Sequence, residues 1–210
     1  MLTQVEDEHS QALRQQLEAA FCVFDFVRLA VEPGVEVNQA LHRQGLQHLY
    51  QQLMARRREA WEKLRQDLRY TDVGEPQMRW EQERALPELL SPQQVRQMVR
   101  EDLEQQGPLA LYRAFCQPPY GLHFPGGAGQ ARQAYGQWLD LLGLDPEQQP
   151  QVINWVGNLE LDCQAPAMGP HFLPWSEYFD EGLEWWGVWC LTVWNPARRT
   201  LSVLAASATD

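Results

Sequence analysis

The segment WWGVWCLTVW, residues 185–194, sets large apolar side chains at odd and even positions alike. Side chains of an extended chain alternate between two faces, so a strand of this composition must be covered on both. It is expected inside a sheet. NPARR at 195–199 supplies a turn, because Pro196 fixes φ and has no N–H to donate to a ladder. TLSVLAAS at 200–207 then returns as the partner strand, and the chain ends in a β-hairpin. Gly187 between large rings leaves room for a neighbouring side chain or a close backbone, and FDEG at 179–182 reads as the turn that leads in. Six of the nine tryptophans lie between 155 and 194, so aromatic burial is expected mainly in this part. Some indoles then form core, and others are available to a binding surface.

Upstream the periodicity is helical. Leu13, Leu17, Ala20, Phe21 and Phe24 recur at helical spacing in a first helix spanning about 4–30, closed by Pro33 and Gly34. Asn38 caps a second helix expected to reach about residue 70, with Leu41, His48, Leu49, Leu53, Ala60, Trp61, Leu64 and Leu68 as its stripe. Ser91, Pro92 and Gln94 open a third with a capping box and a proline at the first helical position. LALYRAFC suits a short helix. A further helix at about 130–142 buries Ala131, Ala134, Tyr135, Trp138, Leu141 and Leu142, with Gly143 as its cap. From 151 the texture turns to β, with partial alternation in VINWVGNLELDC.

The expected fold is therefore α+β: an N-terminal layer of four or five helices packed on a small C-terminal antiparallel sheet ending in a hairpin. One domain over 1–210 is expected, mainly helical to about 145 and mainly β from about 151. The loop QPPYGLHFPGGAGQ leaves open an internal junction at 117–129.

Charge and cysteines narrow the function. The formal net charge is −11, which disfavours nucleic-acid phosphates and attracts a basic protein partner. Cys22, Cys116, Cys163 and Cys190 form no CxxC pair and sit among apolar residues, as reduced thiols of a cytoplasmic protein do. The start MLTQVEDEHS has neither a basic nor an apolar leader region, and no apolar run reaches membrane-span length. Neither a secretory leader nor membrane association is expected.

Catalytic signatures are weak. The five histidines lack HExxH spacing, and PGGAG lacks the GxxxxGK[ST] pattern of a phosphate-binding loop. Cys163 and His171 have no visible source of thiolate stabilisation. No catalytic residue, metal or cofactor is expected. Glu177, Asp180, Glu181 and Glu184 instead cluster before the tryptophan strand. Exposed and close together, they suit an anionic docking patch. The alternative is a hydrolase or carbohydrate-active enzyme using the same acidic and aromatic groups as a pocket. A third reading, a phosphate or acidic-partner site on Arg56, Arg57 and Arg58, opposes the overall charge.

The tail WSEYFDEGLEWWGVWCLTVWNPARRTLSVLAASATD resembles the Trp-rich ends of small bacterial proteins encoded beside polymorphic toxins. The resemblance covers about the last forty residues and is not tied to one named family. It implies an immunity protein: a non-enzymatic binder that covers the active site of a basic toxin domain, with the four carboxylates as bait and Trp175 and Trp185 as anchors.

Overall fold

The computed structural model describes residues 1–119, 121–157, 174–180 and 187–208. In chain order the elements are β1 (Leu2–Gln4), α1 (Glu8–Ala19), β2 (Asp25–Val31), α2 (Gln39–Leu64), β3 (Glu88–Leu89), α3 (Pro92–Met98), α4 (Leu111–Cys116), α5 (Gly127–Leu142), β4 (Gln151–Asn154), β5 (Val188–Asn195) and β6 (Thr200–Ser207). The strands form one antiparallel sheet in the order β1-β2-β6-β5-β4-β3.

This corrects the expected architecture. The sheet is not a small C-terminal one: it has six strands, and three of them precede residue 90. Helices also lie against both of its faces, which a single N-terminal layer does not provide. Trp189, Leu191 and Val193 of β5 pack with α1, α3, α4 and α5, around Phe115, Tyr135 and Trp138. Cys190 and Trp194 of the same strand pack with α2 and with Trp155, Trp175 and Phe179. Two apolar interfaces flank β5 and β6, and each large side chain buried there contributes about 2 kcal/mol.

The largest departure lies at 20–31. The first helix stops at Ala19, and DFVRLAV becomes β2, paired with β6 from Asp25↔Ala205 to Ala30↔Thr200. Neither glycine nor proline marks that stop. Phe21 turns the chain with φ 62, while its N–H donates to Glu18 O at 3.1 Å and the Cys22 N–H to Leu17 O at 2.9 Å. This is a Schellman closure built without glycine. At the other end Asp7 and Ser10 form a capping box. The Ser10 backbone N–H, followed by Arg28, holds the Asp7 carboxyl down at about 2.

α2 begins at the expected cap, with Asn38 Oδ1 accepting from Leu41 N at 3.1 Å, but its buried stripe ends at Leu53. Leu64 and Leu68 are exposed, so the second half of the expected stripe is not core. α3 carries the Ser91–Gln94 capping box and Pro92, and α5 ends on Gly143 at φ 73. No helix among the described residues is long and apolar enough to cross a membrane.

Candidate partner-binding surface

The segment 174–180 reaches the α2 face of the sheet through an isolated antiparallel bridge, Trp80↔Ser176. The Glu81 N–H donates to Trp175 O at 2.8 Å, and Ser176 Oγ donates to Arg79 O at 2.9 Å. Ser176 then caps a single 3-10 turn, Glu177–Phe179, by accepting from Tyr178 N at 3.1 Å. Below that turn lies an aromatic block. Trp175 meets Trp80 edge-on with ring centroids 4.8 Å apart, and Phe179 lies 4.9 Å from Trp175. The Trp175 indole donates to Trp155 O at 3.0 Å.

Tyr178 fixes the turn from the side. Its hydroxyl donates to Asp25 Oδ2 at 2.9 Å, and Asp25 Oδ1 receives Arg56 at 2.6 Å. Burial pushes the Asp25 carboxyl above its ordinary range, opposed by Arg56. Burial, and then the Asp25 charge, push the Tyr178 hydroxyl well above its own. β2, α2 and the acidic turn are thus joined at one half-buried carboxylate.

The expected docking residues separate in this geometry. Trp175 is a core side chain, 3% exposed, and not a rim anchor. Its ring completes the floor on which the turn rests. Glu177 and Asp180 are exposed. Glu181, Glu184 and Trp185 lie outside the described residues, as do Cys163 and His171. Glu177 lines a groove with Tyr50, Met54, Arg58, Glu75 and Arg79. Both guanidinium groups there are held by other carboxylates, Arg58 by Glu75 at 2.8 Å and Arg79 by Glu81 at 3.2 Å. In the basic run, Arg56 is bound by Asp25 and Glu18, and Arg58 by Glu75.

No family model, curated protein or solved structure matches the chain.

Side-chain chemistry is then the remaining guide. Cys22, Cys116 and Cys190 are free thiols, and burial raises each, Cys22 to about 12. Thiols so placed stay protonated at neutral pH and make poor nucleophiles. Among the described residues, no group of three or more His, Cys, Asp and Glu could hold a metal ion. His42 is buried against the sheet, its Nδ1 2.7 Å from Thr192 Oγ1, which also accepts the Trp155 indole N–H at 2.8 Å.

Two further features were not marked in the sequence. A cleft of about 610 Å³ lies beside β5, with Met98, Leu109, Arg113, Asn154 and Trp189 among its walls. Its buried amide is already engaged, since Asn154 Nδ2 donates to Glu88 at 3.2 Å and Oδ1 accepts from Val156 N at 3.1 Å. The second is an open hollow at the end of α1, where Phe21 is exposed. A bulky residue predicted on a helix stripe gives no hint that it will stand outside the core.

Proposed function

We propose that this chain is a non-enzymatic cytoplasmic binding protein of the immunity type, one that neutralises a cationic bacterial toxin domain by covering its active site. The observation that carries the reading is the acidic turn at 177–180. Its carboxylates face solvent, while Ser176, Tyr178 and Phe179 fix its backbone from beneath. A patch ordered before the partner arrives loses little conformational freedom on binding, and that is where affinity is gained. The net charge of −11 adds long-range attraction for a basic surface.

The test is calorimetric titration with the product of the adjoining reading frame. Tight binding is expected. Affinity should fall roughly tenfold or more when Glu177 and Asp180 are both replaced by lysine, and also when salt is raised from about 50 to about 300 mM. Binding that ignores both changes would remove the acidic turn from the interface. No binding at all would remove the immunity reading.

A further inference from the structure

We propose that the hollow at the C-terminal end of α1, lined by Glu18, Phe21, Cys22, Val23, Pro118 and His123, is a socket for one arginine side chain of the cationic partner. The inference rests on the binding reading above and names a second point of attachment, away from the acidic turn.

Phe21 is the starting point. It occupies the position after the helix cap with φ 62, a left-handed backbone that glycine adopts freely and a bulky residue adopts only with strain. The ring does not offset that strain by burial, since the residue remains 64% exposed. A side chain that burdens the backbone without joining the core points to use by something outside the fold. Its ring meets His123 edge-on at 5.6 Å and 85°. The His123 N–H donates to Ala20 O at 3.0 Å, which ties the opposite wall to the helix end. Between these walls the hollow measures about 630 Å³, room for a long side chain.

Charge selects the occupant. α1 has no basic residue in its last turn, so no side-chain charge of its own offsets the negative end of its dipole. The Glu18 carboxylate stands on the same rim, 57% exposed. Arg56 contacts Glu18 at 3.3 Å and Asp25 at 2.6 Å, so Glu18 shares that cation with a second carboxylate. The Cys22 thiol, protonated at neutral pH, offers only an uncharged wall. An aromatic face beside a carboxylate and a helix C-terminus favours a cation. Of the two long basic side chains, the planar guanidinium both stacks on a ring and pairs with a carboxylate.

The experiment uses N-acetyl-arginine amide as the probe, with the uncharged norleucine amide as control, in NMR titrations of the full chain and its Phe21→Gly and Glu18→Gln variants. Saturable shifts at Glu18, Phe21 and His123 are expected with the arginine probe and not with norleucine. Both variants should weaken them roughly tenfold. Phe21→Gly should meanwhile keep or raise Tm, because glycine relieves the left-handed backbone. No shifts with arginine, equal shifts with norleucine, or a Tm several degrees lower in Phe21→Gly would each overturn the socket. The binding reading is judged separately. If the adjoining gene product binds wild type and Phe21→Gly with equal affinity, the socket lies outside the interface and the reading stands. If it does not bind wild type, the reading falls and takes with it the socket's role as a partner contact.

Discussion

His42 stands in the first turn of α2, 2% exposed, with its Nδ1 against Thr192 Oγ1 in the middle of β5. The Trp155 indole can only donate, so it occupies a lone pair of that same hydroxyl. Burial holds the imidazole down at about 4, well below its ordinary 6.5. A group whose folded value is depressed binds its proton better when unfolded. His42 therefore costs the fold nothing above pH 6.5, and its cost grows as pH falls toward 4. The loss from this residue is about 3 kcal/mol at most. Asp7, held at about 2, acts in a lower window, from its ordinary 3.8 downward. Asp25 acts with the opposite sign, because its carboxyl is raised and favours the fold at low pH. The difference between wild type and His42→Asn isolates the histidine. Urea unfolding at pH 7 and pH 4 should show a steep loss in wild type and a shallower one in the variant. Equal slopes would mean that His42 is not the titrating group.

Two glycines within helices show how an element is constrained by what it touches. Gly45 of α2 lies over β6, where an added Cβ would stand 3.0 Å from Leu201 Cδ2 and 3.1 Å from Val203 Cγ2. Gly136 of α5 is exposed and would meet nothing within 4 Å. Both residues weaken a helix by about 1 kcal/mol relative to alanine. Only Gly45 is needed, for close approach of helix to sheet. Gly136→Ala should raise stability by about 0.5–1 kcal/mol. Gly45→Leu should lower it by about 1–3 kcal/mol, through overpacking against β6. Chemical denaturation of both variants checks the pair; a neutral Gly45→Leu would mean that α2 can lift from the sheet at little cost.

The same distinction explains what the sequence makes legible. Asn38, Ser91 with Gln94, and Gly143 mark helix ends through hydrogen bonds made within a few residues, so the chain itself announces them. The apolar pattern of 188–195 likewise requires cover on both sides. β2 was not legible, because its helix stop uses a phenylalanine where glycine is the signal, and FDFVRLAV is apolar at both periods. β1 and β3 span three and two residues, too few to show any period. At the candidate surface, the exposure of Glu177 and Asp180 suits their type. The burial of Trp175 depends on Trp80 and Trp155, partners far off in sequence.

At the scale of the molecule, β6 has a structural role out of proportion to its length. It pairs with β2 on one side and β5 on the other, and neighbouring residues of it feed opposite interfaces. Val203 packs in the α2 interface, and Leu204 in that of α1, α3, α4 and α5. Neither interface can loosen without exposing the strands that the other needs, so cooperative unfolding is expected despite two separate apolar clusters. Val203→Ala and Leu204→Ala each open a cavity on a different face, and the leucine truncation should cost about 2–5 kcal/mol. Far-UV circular dichroism and tryptophan fluorescence should then trace the same urea transition, in wild type and in both variants, with its midpoint lowered in each variant. Indoles sit in both clusters, so fluorescence reports on both. If Val203→Ala splits fluorescence from circular dichroism while Leu204→Ala does not, the α2 interface melts alone. The acidic turn, which that interface supports, would then be mobile before it meets a partner, and the affinity gain from a rigid patch would be lost.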